Sequence, residues 1–274
     1  MVELLHVRSS GDSDSTSALA RFGRTGVFTV EVDRRVLAGE ADAGVHSLKD
    51  MTTTLEDGVV LAGTLARGPV EDVLVSRDGA TLAELPRGAR VATGSLRRAA
   101  MLRAERSDLE VVMIRGNVET RLEKLADGAF DALVLAHAGL VRLGLEARIS
   151  EVLDPRRFVP AVGQGIVGWT ARASDDATRR LLAAISDREA WNAALAERAF
   201  LRRIHGGCNA PVGAHARASE GALHLAARVL AADGAAEVEG SAHGHAREAE
   251  TLGERLAEEL LAQGAGALIE EARA

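Results

Sequence analysis

The chain of 274 residues holds one cysteine, which excludes an internal disulfide and makes a reducing cytoplasm the expected compartment. No stretch approaches the roughly 18 consecutive apolar residues of a membrane span, and no secretory pattern of charged, apolar and small residues opens it, so no membrane partner is expected. A basic excess is missing too. The 33 Lys and Arg stand against 40 Asp and Glu, a net charge of −7, which argues against a broad nucleic-acid footprint. Internal repeats and low-complexity tracts are absent from the sequence. What is present is an ordinary globular composition, 47% hydrophobic and 27% charged, with length for two or three domains.

The charge is unevenly placed. Between Arg97 and Arg148 eight arginines and one lysine face eight acids, so this segment is +1 and the remainder −8. Up to about residue 165, short apolar runs alternate with amphipathic stretches, the pattern of an α/β fold with mostly parallel strands. Strands are expected at 2–7, 41–45, 59–62, 72–76, 89–92, 110–114 and 131–136, with helices at 30–38, from 96 to about 106, and at 118–125. After residue 188 the character changes to a small α+β unit. It has a helix at 189–204, a strand at 222–230, a hairpin at Asp233-Gly234, a strand at 236–239, and a last helix marked by Leu252, Leu256 and Leu260.

Four clusters at turns carry candidate chemistry. His46-Ser47-Leu48-Lys49-Asp50 follows a strand, at the carboxyl end where α/β folds place ligands. A hydroxyl, a cation and a carboxylate within five residues fit a site, and a solvated loop fits equally. Thr93-Gly94-Ser95-Leu96-Arg97-Arg98 combines a helix start, hydroxyls and two guanidiniums into an anion site, or else a capped helix with surface arginines. Arg115-Gly116-Asn117 with Arg121 repeats that logic, and Arg142 and Arg148 extend the basic wall or lie on the surface. The implied ligand bears several negative charges. Pro160-Ala161-Val162-Gly163-Gln164-Gly165 lacks the spacing of a nucleotide-binding loop and reads as a hinge.

The lone cysteine sits in Ile204-His205-Gly206-Gly207-Cys208-Asn209. Two glycines clear one flank of the sulfur and leave room for a bulky group. A buried structural thiol is the competing reading of that tripeptide alone.

Taken in order and spacing, Val45-His46-Ser47-Leu48-Lys49-Asp50, Gly94-Ser95-Leu96-Arg97-Arg98, Arg115-Gly116-Asn117-Val118, Thr120-Arg121-Leu122, Pro160-Ala161-Val162-Gly163-Gln164-Gly165 and Gly206-Gly207-Cys208 resemble porphobilinogen deaminase, also called hydroxymethylbilane synthase. The resemblance covers the chain from Val2 to the C-terminal helix. It implies two periplasmic-binding-protein-like (type II) α/β lobes and a small α+β C-terminal domain. Their expected bounds are 1–65 with 166–183, 71–160, and 188–274. It also implies a dipyrromethane cofactor on Cys208 through a thioether, porphobilinogen as substrate, a monomer, and no metal. Four substrates would be joined head to tail with loss of ammonia, and the linear tetrapyrrole released by hydrolysis.

By the same resemblance Asp50 is the catalytic carboxylate, stabilising positive charge that develops on pyrrole nitrogens. Cofactor binding falls to Cys208, Ser47, Lys49, Asp50, Thr93, Ser95, Arg97, Arg98, Arg115 and Gly116. Substrate binding falls to Phe28, Arg115, Arg121, Arg142 and Gln164. Asp12 lies in the segment next to Phe28. Six linked pyrroles would bring twelve side-chain carboxylates into one cleft, which accounts for an arginine wall in an acidic protein.

The chain also departs from the pattern. The family's opening strand and helix, which carry an arginine, a serine and a glutamine of the site, have no counterpart, and Met1 falls at what resembles the second strand. A chain truly beginning there is expected to have a poorly stable first lobe and weak or no activity. Thr25, Thr52 and Thr170 stand where lysine, proline and glutamate are usual, which bears on efficiency. The rival reading is a two-lobed anion-binding protein, which would explain the arginines and the hinge but not Gly206-Gly207-Cys208 or Asp50; a third is a degenerate paralogue that folds and binds but does not turn over.

Overall fold

The computed structural model describes residues 2–7, 29–207 and 210–273. The first sheet has three strands, β1 (Ala43–Ser47), β2 (Val59–Thr64) and β8 (Val167–Arg172), in the order β1-β8-β2. Helix α1 (Val30–Leu37) packs on it through buried Val36 and Asp33. Both pairings of β8 are antiparallel, which corrects the expectation of mostly parallel strands in this half. The reason is connectivity: β8 comes back from the second lobe and inserts between two strands running the other way.

The second sheet holds β3 (Asp72–Ser76), β4 (Arg90–Thr93), β5 (Glu110–Met113), β6 (Ala132–Ala136) and β7 (Glu151–Val152), in the order β5-β4-β6-β3-β7. Here β4 pairs in parallel with β5 and β6, while β3 runs antiparallel to β6 and β7. Helices α2 (Leu96–Glu105), α3 (Val118–Ala126) and α4 (His137–Leu143) cover the sheet. Every residue of β3 and β6 is buried, as continuous apolar runs require when helices shield both faces. At about 1.5–3 kcal/mol for each large side chain buried, these strands anchor the lobe.

Helix α5 (Asp176–Ala184) follows β8, and α6 (Arg188–Arg203) opens the small domain. An antiparallel sheet of β9 (Val212–Ser219), β10 (Ala222–Leu230) and β11 (Glu237–His245) lies against α6, α7 (Ala249–Ala262) and α8 (Ala265–Glu271). Leu223, Leu225, Ala227 and Val229 alternate into this core with Phe200, Leu256 and Leu260. The result is the expected α/β architecture, two sheets flanked by helices, with a separate small α+β domain.

Residues 2–7 do not form the expected strand: they join no sheet, and Val2 and Leu4 are 89% and 77% exposed. No strand among the described residues pairs with them, and an unpaired extended segment has no ladder to define it.

Candidate active site

The turn after β1 is a single 3-10 turn, Leu48–Asp50. Leu48 and Met51 are buried with Ile166 and Ala194, and the Leu48 N–H donates to Ile166 O at 3.0 Å. With the apolar members turned inward, Ser47 and Lys49 are half-buried and Asp50 is exposed. The Lys49 ammonium has a lowered proton affinity. Burial is the largest cause, Asp50 opposes it, and Arg98, Asp72 and Arg97 all act on it. The first-lobe turn thus lies within electrostatic reach of the second-lobe arginines.

Those arginines begin α2. The Ser95 hydroxyl caps the helix, accepting from the Arg98 N–H at 3.5 Å, and buried Thr93 accepts from the Ser95 N–H at 3.2 Å. Arg97 and Arg98 are not surface residues; they are 3% and 7% exposed. Asp72, at the start of β3, sits between them, 2.7 Å from Arg97 Nη2 and 2.8 Å from Arg98 Nη2. Arg97 Nη1 also donates to Val159 O at 2.6 Å. Burial alone would raise the Asp72 carboxyl. Arg97, Arg98 and the hydrogen bonds from Arg98 and Gln164 outweigh it and hold Asp72 down at about 2.

Gln164 belongs to the same cluster and is fully buried. Its amide nitrogen donates to Asp72 Oδ1 at 2.9 Å and Val70 O at 2.7 Å, and its Oε1 accepts from Arg98 at 3.3 Å. Arg121 comes from the neighbouring unit, one turn into α3. Its guanidinium lies against Gly94, where an added Cβ would stand 3.4 and 3.6 Å from the two terminal nitrogens and 2.8 Å from Ile114 O. Burial first and Arg98 second lower its proton affinity, and its buried Nε has no hydrogen-bond partner.

Arg115 and Gly116 are exposed in the loop before α3. Gly116 takes φ +115°, and Asn117 caps the helix by accepting from the Thr120 N–H at 2.8 Å. Arg142 is also exposed and donates to Gly165 O at 3.3 Å.

The expected hinge is where two chain crossings meet. The Gly68 N–H donates to Gly165 O and the Leu65 N–H to Val167 O. Gly165 takes φ +85°, and a Cβ there would lie 2.7 and 2.8 Å from the carbonyls of Gly68 and Pro69. Glycine is required on both counts.

Four residues of this region had no signal in the sequence. Asp72 reads there as one polar end of a strand. Glu197 reads as one acid on a helix, yet it is fully buried. Its carboxylate accepts from Arg67 at 2.5 Å, Gly163 N–H at 2.7 Å and Ala216 N–H at 2.7 Å. It thereby ties the small domain to both crossings, since Arg67 also donates to Gln164 O at 2.9 Å. The fourth, Arg198, donates to the carbonyls of Thr52 and Thr53. No local periodicity marks buried charges whose partners lie 19 to 149 residues away in sequence.

Phe28, Asp12, Thr25 and Cys208 lie outside the described residues. Ile204 and Ala210, on either side of the Gly206-Gly207-Cys208 stretch, are buried in the small-domain core.

The geometry brings Ser47, Lys49, Asp50, Thr93, Ser95, Arg97, Arg98, Arg121 and Gln164 to one junction between lobes. Lys49, Arg97, Arg98 and Arg121 carry four positive charges there against two on Asp50 and Asp72. Surplus positive charge at such a junction can attract and hold a small polyanion.

Two family models match the chain. "Porphobilinogen deaminase, dipyromethane cofactor binding domain" spans residues 1–180 and "Porphobilinogen deaminase, C-terminal domain" spans 191–262. Porphobilinogen deaminase of Roseiflexus sp. is 48% identical over 98% of this chain and 88% of its own length. That of Syntrophobacter fumaroxidans is 42% identical over 98% and 87%. The chain belongs to the porphobilinogen deaminase family. Among solved structures, a YaeC-family lipoprotein of Enterococcus faecalis matches at 14% identity with a TM-score of 0.38, over 58% of this chain and 76% of that one.

Proposed function

We propose that this chain joins four porphobilinogen molecules head to tail, with loss of ammonia, to give hydroxymethylbilane for tetrapyrrole biosynthesis. The family assignment carries the reaction class and the dipyrromethane cofactor. The observation in the molecule itself that supports it most is the surplus of cations around Asp72, with the buried Nε of Arg121 left without a partner. A carboxylate-rich ligand fits such a site, because buried positive charge needs compensation. When bound, the cofactor supplies a covalent pyrrole primer to which rings are added.

The chain's own residues divide the work. Cys208 holds the cofactor. Ser47, Lys49, Thr93, Ser95, Arg97, Arg98, Arg115 and Gly116 receive its carboxylates. Arg97 and Arg98 are already committed to Asp72, so they contribute chiefly through the field of two cations sharing one anion. Asp50 presents an exposed carboxylate on a rigid turn, where it accepts from pyrrole N–H groups and stabilises positive charge developing on the reacting rings. Arg115, Arg121 and Arg142, with Phe28, orient incoming porphobilinogen through its acetate and propionate. Gln164 serves by holding Asp72 and Arg98 in place.

The lobes are assigned to 1–65 with 166–183 and to 71–160, and the small domain to 188–274, a division that the three separate sheets support. The protein is further proposed to act as a monomer in the cytoplasm. Among the described residues, no helix is long and apolar enough to cross a membrane.

Intact mass of the purified protein, with Ehrlich's reagent on the same sample, tests the reading. A two-pyrrole adduct that disappears in Cys208→Ser is the expected result. A chain that binds porphobilinogen equally with and without Cys208, and never carries the adduct, would instead be a two-lobed binding protein.

A further inference from the structure

Arg198 lies on α6 of the small domain and is only 6% exposed. Among the described residues no carboxylate pairs with it, and the one charge that bears on it is another cation, Arg202. Burying a guanidinium without an anion is costly. What this one gains is two carbonyls: its Nη2 donates to Thr52 O at 2.8 Å and Thr53 O at 3.2 Å. Those carbonyls are the second and third after Asp50.

The remaining contacts point the same way. Ala194, one helical turn before Arg198, packs with Leu48 and Met51 of the Asp50 turn. One face of α6 therefore touches the turn twice, through an apolar contact and through a charged donor. Glu197, the neighbour of Arg198, pins α6 to the crossings through Gly163 and Arg67. Thr52 has no ring to fix its φ, as a proline would. Its hydroxyl donates to Thr54 O at 2.6 Å, a local bond within the same segment.

We propose that Arg198 is a positioning residue for Asp50: the small domain holds the exit of the catalytic turn through the Thr52 and Thr53 carbonyls, and so fixes where the Asp50 carboxylate stands. This rests on Asp50 being the catalytic carboxylate.

The test uses the full chain with Arg198→Met, which keeps most of the apolar stem, and Arg198→Lys, which keeps a donor. Hydrogen–deuterium exchange of peptides spanning residues 48–55 reports the turn directly, and porphobilinogen turnover is measured alongside in R198M, D50N and the D50N/R198M double variant. Exchange at 48–55 is expected to rise in R198M, to return toward the parent level in R198K, and to stay unchanged at β3 and β6. The turnover number should fall by about 10–100-fold in R198M with KM within about twofold, since a small misplacement of a reacting group costs that much. Within the D50N background, R198M should cost nothing further. Unchanged exchange at 48–55 in R198M overturns the proposal. So does an equal additional loss of turnover in the D50N background, or a loss of protection spread over the whole chain, either of which makes Arg198 merely structural. If D50N itself turns over at the parent rate, the reading of Asp50 fails first, and that result is distinct from the other three.

Discussion

Asp72 and Arg98 meet through two contacts, Nε to Oδ1 at 2.9 Å and Nη2 to Oδ1 at 2.8 Å, while Arg97 takes the other carboxylate oxygen at 2.7 Å. One buried anion thus stands between two buried cations beside the Asp50 turn. The cluster is at once part of the fold and the source of the site's positive field.

Removing that anion leaves two buried guanidiniums with neutral acceptors only, Val159 O for Arg97 and Gln164 Oε1 for Arg98. Asp72→Asn is expected to cost about 3–5 kcal/mol, the range for breaking a buried pair, measured by urea unfolding. Acid should act similarly. With its carboxyl held at about 2 against an ordinary 3.8, Asp72 contributes stability above pH 3.8 that is lost as pH falls through 2. An Asp72→Asn protein as stable as its parent at pH 7 would contradict this.

Arg121 should behave in the opposite sense. Its partnerless Nε and burial mean that Arg121→Met removes a desolvated cation, so Tm is expected to hold or rise by a few degrees. The apparent affinity for porphobilinogen should weaken by about 10–100-fold, the loss of one charged hydrogen bond of about 1.5–3 kcal/mol. Calorimetry and a KM measurement on the same variant decide it; a lower Tm with unchanged KM contradicts the assignment.

His215, on β9, is pushed down to about 3, first by burial and then by Arg67, Arg217 and His224. The unfolded chain takes up a proton below about 6.5 while the folded imidazole stays neutral, so stability is lost as pH falls from 6.5 toward 3. Between pH 7.5 and 5 this amounts to about 1–2 kcal/mol. His215→Gln should flatten the dependence of urea unfolding on pH over that interval, and an unchanged slope would count against it.

At the crossing of the two linkers, Gly165→Ala places a Cβ 2.7 and 2.8 Å from two carbonyl oxygens at φ +85°. A loss of about 1–3 kcal/mol is expected from backbone strain, together with weakened protection of the Gly68 N–H that bonds Gly165 O. Gly79, also at positive φ but with open space around it, provides the control: Gly79→Ala should cost about 1 kcal/mol or less.

Much of the fold was legible in the residues. The strands at 72–76 and 222–230 carry the expected bounds, and the helices at 30–37, 96–105, 118–126 and 188–203 fall within two residues of theirs. These segments have strong periodicity or unbroken apolar runs, which local chemistry settles. Strand β8 and helix α5 are not among the expected elements: β8 shows no alternation of buried and exposed positions, and α5 buries none of its nine residues. The sheet order around β8 was also hidden, since its partners are 100 or more residues earlier in the chain.

By itself the sequence determined what kinds of group this protein could bring to bear: a lone thiol behind two glycines, a carboxylate in a five-residue turn, and arginines at two successive helix starts. Those are properties of residue type and short spacing, and they sufficed for the family. Which arginines are buried and neutralised, which keeps a vacant donor, and how one helix of the small domain reaches both the hinge and the Asp50 turn were decided by tertiary structure alone. Burial and long-range pairing set the free energy of a charge, and neither is a property of the local sequence.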